Sequence, residues 1–245
     1  MSARQVPNLT SLLQVQAANV LEAPAGREPQ PVTDIEIVAV DSRSRAGYAI
    51  AKRAFDFVAG TALLLILLPV LLLAAILVKV TSRGPIFFTQ RRCGSRGRTF
   101  TCYKFRTMVN GADGLKKNLL SRNEVTGPVF KIRNDPRITP LGRLLRKTSI
   151  DELPQLLNVI RGEMSLVGPR PPLPEEVATY SHRERLRLSV PTGLTCLWQV
   201  SGRSNLDFEQ WIELDLQYLE KRGFWYDIWL LARTIPAVLT GRGAI

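Results

Sequence analysis

Val58–Val78 reads VAGTALLLILLPVLLLAAILV, 21 residues without a charged side chain. As one continuous helix it would be about 31 Å long, close to the ~30 Å hydrocarbon core of a bilayer. A core helix of that length normally keeps a polar face, and this run has none. The stretch therefore puts the chain in contact with a membrane. Pro69 stands at its middle. Proline lacks a backbone donor and crowds the preceding turn, so it kinks or breaks the helix. The flanks are basic on both sides, with Lys52 and Arg53 before the run and Lys79 and Arg83 after it. Basic flanks favour the cytoplasmic side, and a hairpin that enters and returns satisfies both of them. Prolines also occur in spanning helices, so a kinked single span stays open on these residues alone.

Outward from that run, the 245 residues are enough for one core of ordinary size, or one domain with a tail. A hydrophobic fraction of 45% excludes a protein made of many membrane spans. The net charge of +12 is concentrated. Residues 81–147 hold sixteen Lys and Arg against three acids, Asp113, Glu124 and Asp135, whereas residues 1–45 hold four arginines against five acids. Such a basic stretch attracts phosphates, whether of nucleic acid, lipid headgroups or small molecules. Cys93, Cys102 and Cys196 are odd in number and lack CxxC spacing, which gives neither a disulfide framework nor a zinc site. They read as reduced packing residues. His182 is the only histidine, so acid–base work falls to carboxylates.

Residues 1–22 are weakly amphipathic, Ala23–Asp34 reads as a linker, and residues 1–45 together as a tail of low order. The long apolar run begins too late for a signal peptide. Ile86–Gln90 and Thr99–Phe105 read as strands of a hairpin, joined by Cys93-Gly94-Ser95-Arg96-Gly97-Arg98. Ile150–Arg161 reads as a helix, capped by Ser149 or Asp151 and ended by Gly162. Its apolar stripe would be Leu153, Leu156, Leu157 and Ile160. Gly168-Pro169-Arg170-Pro171-Pro172 is a stiff loop. Glu175–Leu188 and Asp207–Lys221 read as helices. Phe224–Leu239 is aromatic-rich and suits either a membrane interface or an ordinary buried helix.

Asp151 and Glu152 are adjacent acids at the start of a helix, where acids are often found simply because they offset the dipole. Here they follow Arg143, Arg146 and Lys147, so anions and cations converge. A helix N-terminus offers free N–H groups to a phosphate. The dipole and the cations should lower the pKa of Asp151 and keep it an ionised nucleophile. Carboxylates with a divalent cation and Lys or Arg are the usual equipment of phosphoryl chemistry.

Six motifs follow one another. They are Lys52-Arg53-Ala54-Phe55-Asp56 ahead of the apolar run, Phe88-Thr89-Gln90-Arg91-Arg92, Tyr103-Lys104-Phe105-Arg106-Thr107-Met108, Asp151-Glu152-Leu153-Pro154-Gln155-Leu156-Leu157-Asn158-Val159, Ser165-Leu166-Val167-Gly168-Pro169-Arg170-Pro171 and Trp198-Gln199-Val200-Ser201-Gly202-Arg203. In this order they resemble the bacterial sugar transferase family, the monotopic polyprenyl-phosphate phosphoglycosyl transferases. The resemblance covers about residues 48–245. It departs at Leu68, where many relatives have Ser before the proline, and at Ser201, where some have Asn.

The resemblance implies transfer of a sugar-1-phosphate from a UDP-sugar to undecaprenyl phosphate, the first membrane step of exopolysaccharide or O-antigen-type glycan synthesis. Asp151 would be the nucleophile, giving a phosphosugar–enzyme intermediate and UMP. Glu152, with Asp151, would hold Mg2+. Lys104, Arg146 and Arg170 would bind substrate phosphate, and Arg203 and Gln199 would face the nucleotide or diphosphate. Thr195-Cys196-Leu197-Trp198-Gln199 is similar to the exopolysaccharide-priming branch, which favours UDP-glucose or UDP-galactose. The expected fold is α+β and mainly helical: a re-entrant membrane helix–break–helix over 46–82 around Pro69, then a cytoplasmic catalytic domain over 83–245 with a small β-hairpin and interfacial helices. The expected location is the cytoplasmic face of the bacterial inner membrane, with inner-membrane lipid and a second copy of the chain, as a homodimer, as further partners. A membrane-tethered scaffold or nucleic-acid-binding protein is the alternative. The basic stretch holds no recognisable nucleic-acid module, so nucleic acid is not expected as a partner.

Overall fold

The computed structural model describes residues 46–115, 117–124, 127–202 and 206–241. The expectations for residues 1–45 and for Arg203 lie outside them. The elements in chain order are α1 (Ala46–Ile66), α2 (Leu68–Thr81), β1 (Phe87–Cys93), β2 (Thr99–Phe105), α3 (Ala112–Leu115), α4 (Pro140–Lys147), α5 (Leu156–Arg161), β3 (Ser165–Val167), α6 (Pro174–Thr179), α7 (His182–Arg185), β4 (Gly193–Thr195), α8 (Leu197–Ser201), α9 (Phe208–Lys221) and α10 (Phe224–Thr240). The fold is mostly helical with little sheet, the α+β class expected.

The apolar run does not continue as one helix. No single helix among the described residues is long and apolar enough to cross a membrane; α1 and α2 pass that test only together, and they are bent by 60°. The bend falls at Leu67, and Pro69 lies in the first turn of α2, where a missing donor is tolerated. Leu67 N still donates to Leu63 O and Leu71 N to Leu67 O, both at 2.9 Å. Pro69 has no N–H to give the carbonyl four residues back, so the ladder is interrupted just where the axis turns. Leu71, Ala74 and Val78 pack α2 onto Phe105 and Leu145. Leu65, Ile66, Leu68, Leu72, Leu73 and Ile76 of the pair stay exposed. That is a contiguous apolar surface of the kind soluble faces avoid.

Two of the four flanking cations are used inside the fold. Lys52 is buried and paired with Asp227 of α10 at 2.6 Å. Arg53 donates to the carbonyls of Val159 and Ile160 at the end of α5, at 2.8 and 2.7 Å. At the other end of the pair, the Arg106 Nη2 donates to Ser82 O at 2.8 Å. Both ends are thus tied to one folded body. Lys79 and Arg83 remain exposed.

The antiparallel β1–β2 hairpin pairs Phe88 with Lys104 and Arg92 with Phe100. β1 runs to Cys93, three residues beyond the expected end. A second, parallel pair was not anticipated: Ser165 of β3 opposes Gly193 of β4, and Val167 opposes Thr195. The backbones come so close there that a Cβ on Gly193 would stand 2.1 Å from Gly168 N. The main core gathers Leu156, Val159, Leu166, Leu188, Ile212, Tyr218 and Leu230 from α5, β3, α9 and α10 with their neighbours. The three cysteines are free and buried.

Three local expectations are corrected. Ile150–Gln155 is a 3-10 segment that becomes α-helical only from Leu156, and Ser149 stands at its start in the left-handed region (φ 56°) with no side-chain cap. Leu157, placed in the apolar stripe, is exposed, while Val159 is buried. Glu175–Leu188 is not one helix: Tyr180 is extended between α6 and α7, and Leu186–Ser189 is 3-10. Ser181 starts α7 with its own capping box, so the local signals favour two short pieces. α9 begins after the Asp207 cap as expected, and α10 covers Phe224–Thr240. α10 divides between the two readings of its sequence: Leu230 is fully buried, whereas Trp225 is 80% exposed.

Candidate active site

The acidic pair sits at a junction of three elements. α4 starts at Thr139, whose Oγ1 accepts from Gly142 N at 2.9 Å, with Pro140 in the first turn. Its last turn carries Arg146 and Lys147. Ser149 reverses the chain through its left-handed conformation, so the C-terminal end of α4 meets the 3-10 turn that bears Asp151 and Glu152. β2 lies alongside that turn. Asn158, wholly buried, fastens the two together: its Nδ2 donates to Thr101 O at 2.7 Å and its Oδ1 accepts from Tyr103 N at 3.3 Å. One residue on, the Lys104 Nζ reaches Glu152 Oε1 at 2.6 Å.

Lys104, Glu152, Arg170 and Gln199 line one cleft with Arg92 and Gln155. Four of the sequence-predicted residues are therefore together. Gln199 is also the N3 residue of α8, with its Oε1 accepting from Cys196 N at 2.9 Å. Arg146 and Asp151 are not in the lining of that cleft. Arg146 anchors itself through Nε to Thr107 Oγ1 at 2.9 Å and pulls electrostatically on Asp151. The carboxylates thus divide, Glu152 toward the cleft and Asp151 in the protein, 7% exposed.

Their protonation differs in the same way. Burial would raise Glu152, but Lys104, Arg170 and Arg92 outweigh it and hold it below the usual carboxylate range. Burial, and then the charge of Glu152, push Asp151 up to about 7, against the opposing pull of Lys104 and Arg146. The expected lowering of Asp151 is therefore corrected. A 3-10 segment of six residues supplies little dipole, and the desolvation of the buried acid wins. Burial also lowers Arg146.

Among the described residues no group of three or more His, Cys, Asp or Glu side chains could hold a metal ion. Two adjacent carboxylates are nevertheless the donor set with which Mg2+ is usually held, the rest of its shell being water and substrate phosphate. Of the pair, Glu152 opens on the cleft where that ion would meet substrate phosphate, and two carboxylates do not make a closed zinc site.

The profile of a family described as "Bacterial sugar transferase" matches residues 47–241. The chain belongs to that family. Among its relatives is the exopolysaccharide production protein ExoY of Rhizobium meliloti, 42% identical over 79% of this chain and 88% of the relative. The undecaprenyl-phosphate galactose phosphotransferase of Salmonella typhimurium is 42% identical over 79% of this chain and 41% of its own length. The undecaprenyl-phosphate glucose phosphotransferase of Komagataeibacter xylinus is 40% identical over 79% of this chain and 36% of its own length. The chain thus spans nearly all of one such relative and about two fifths of the others.

Sequence reasoning assigned no role to Arg92, Gln155 or Asn158. Each stands inside a quoted motif, but the strand expected from the sequence ended at Gln90 and so did not include Arg92. Polar residues at inward strand and helix positions are rarely buried without a task.

Proposed function

We propose that the protein transfers a sugar-1-phosphate from a UDP-sugar to undecaprenyl phosphate and so initiates a surface polysaccharide of the exopolysaccharide or O-antigen type. The names of the Salmonella and Komagataeibacter relatives support the lipid acceptor and favour galactose or glucose as the sugar, which we take to be carried by UDP. The observation that carries the reading is the Asp151–Glu152 pair held among Lys104, Arg146 and Arg170.

In the first half-reaction a carboxylate oxygen of Asp151 attacks the β-phosphorus of the donor. The bond from that phosphorus to the bridging oxygen breaks, and UMP leaves with the oxygen. The sugar phosphate is then joined to Asp151 as an acyl phosphate. In the second half-reaction an oxygen of undecaprenyl phosphate attacks the same phosphorus and the Asp151 oxygen leaves as carboxylate. The product is a lipid diphosphosugar. Lys104 and Arg170 neutralise the phosphates from the cleft, and Arg146 steadies the charge on Asp151. Mg2+ held by Glu152 with Asp151 would supply further neutralisation. A proton must leave Asp151 before it attacks, and its raised pKa makes that step sensitive to pH near 7.

The apolar helix pair would sit in one leaflet as a re-entrant element at the cytoplasmic face. The 60° bend supports this, as does the attachment of both ends to the same body through Lys52–Asp227 and Arg106–Ser82. The exposed Trp225 and Trp229 of α10 suit the adjoining headgroup level.

The test is nucleotide release from a panel of UDP-sugars with undecaprenyl phosphate and Mg2+. UMP from one or a few donors, lost in Asp151→Asn, is the expected result. Release of UDP instead would mean that sugar alone moved, and would refute the reading.

A further inference from the structure

Arg170 reaches the cleft from a loop whose prolines stiffen it through fixed φ angles but leave it few donors of its own. Pro169, Pro171 and Pro172 supply no N–H, so the loop has almost no donors with which to build its own hydrogen-bonded turn. Its carbonyls are held from outside, one after another. Pro169 O accepts from Gly193 N at 2.8 Å and Pro172 O from Cys93 N at 2.9 Å. Arg170 O accepts from Arg187 Nη2 at 3.2 Å, and Pro171 O from Arg92 Nη1 at 3.0 Å. Four successive carbonyls are thereby fixed.

The two arginines in that set differ. Arg187 is a closed ion pair with Asp215 at 2.5 Å, deep in the core. Arg92 is 8% exposed, and its other Nη donates to a neutral oxygen, Gln90 Oε1, at 2.7 Å. Among the described residues no salt bridge joins it to a carboxylate. Burial first and then the neighbouring Arg170 lower it to about 10, against the opposing pull of Glu176 and Glu152. It lines the same cleft as Arg170, Lys104 and Glu152. A buried guanidinium without a paired carboxylate is costly, and a lysine at this position could not bridge Gln90 and Pro171 in one plane.

We propose that Arg92 is a positioning residue: by holding the Pro171 carbonyl it fixes Arg170 at the cleft, where Arg170 meets the diphosphate of the sugar nucleotide. This rests on the reaction proposed above, and deepens it by separating the group that touches phosphate from the group that aims it.

The test uses the full chain in detergent or lipid nanodiscs. UDP binding with Mg2+ is measured by calorimetry and donor KM by UMP release, for Arg92→Gln, Arg92→Lys, Arg170→Ala and Arg92→Gln/Arg170→Ala. Arg92→Gln and Arg92→Lys should each weaken UDP binding and raise donor KM about tenfold, the loss expected for a hydrogen bond to a charged group. Arg170→Ala should lose more, and the double variant should bind within about twofold of Arg170→Ala, because Arg92 acts only through Arg170. Multiplying losses in the double variant would overturn the inference. So would wild-type affinity in Arg92→Lys, which would make charge alone sufficient. If Arg92→Gln lowers the melting temperature, Arg92→Lys and Arg92→Lys/Arg170→Ala carry the comparison. Absence of UDP binding by the wild type would also overturn it. UDP binding without UMP release would instead refute the proposed reaction, and the double-variant comparison would still decide the role of Arg92.

Discussion

Asp227 and Asp151 are both buried acids beside a lysine, and their surroundings fit them for opposite tasks. Asp227 collects donors: Lys52 Nζ at 2.6 Å and Tyr48 OH at 2.7 Å on one oxygen, Tyr218 OH at 2.9 Å on the other. These contacts bind α1 to α9 and α10, so the acid works as an anchor for α1. Asp151 has a second carboxylate, Glu152, as its neighbour, and burial with that charge pushes it up to about 7. A buried acid rich in donors holds structure. One beside a like charge stays easy to protonate.

The largest expected effect is at Asp151. Asp151→Asn should cut UMP release by at least about 1,000-fold, since in the proposed reaction it removes the nucleophile rather than a helper. The same change should stabilise the fold at alkaline pH. A carboxyl raised in the folded state contributes stability that is complete below the unfolded value of 3.8 and is lost as pH rises through about 7. Asp151→Asn escapes that loss, so at pH 8 it should melt above wild type, by about 2–4 °C for each kcal/mol relieved. A lower melting temperature at pH 8 would contradict the raised value.

Asp227→Ala should do the reverse. Removing one partner of a buried ion pair costs about 3–5 kcal/mol. Denaturant unfolding should show that loss, and proteolysis should attack α1 earlier. Activity remaining in the detergent-solubilised survivors should respond to pH as in wild type, because Asp227 does not enter the chemistry.

A smaller effect is read in the pH profile. At limiting donor, UMP release should rise about tenfold per unit as pH climbs toward 7 and level off above it. Lys104→Met removes a cation that favours the ionised form of both acids, so the rise should move to higher pH as well as weaken donor binding. An unmoved profile would separate Lys104 from the protonation of Asp151.

The smallest effect is at the bend. Pro69→Ala restores a donor in the first turn of α2 and should open the 60° angle only partly, since the turn of the axis falls at Leu67. Spin-label distances between positions 50 and 76 would show a modest lengthening. An unchanged distance would make the tertiary anchors at Lys52 and Ser82 sufficient for the bend.

Much of this was legible in the sequence because it rests on local rules. The 21-residue apolar run and its proline announced a broken apolar element, and Asp207 and Gly162 marked the ends of helices correctly. The hairpin showed through alternation and the turn residues between its strands. What stayed hidden depends on contacts far apart in the chain. The parallel β3–β4 pair consists of three-residue strands buried on both faces, which carry no alternation to read. Ser149 in the left-handed region has no glycine to announce it. Of the residues carried over from the family motifs, Lys104, Glu152, Arg170 and Gln199 share one cleft, while Asp151 and Arg146 do not line it. Asp151 was misjudged because a dipole and nearby cations can be counted in a sequence, whereas the burial that overrides them cannot.

The most direct test of Asp151 as the nucleophile is the intact mass of the protein after incubation with the accepted UDP-sugar and Mg2+, without undecaprenyl phosphate. The prediction is a gain of one phosphosugar, mapped by peptide sequencing to Asp151, absent in Asp151→Asn and discharged when undecaprenyl phosphate is added. Stoichiometric UMP release with no adduct, or an adduct on any other residue, would contradict it.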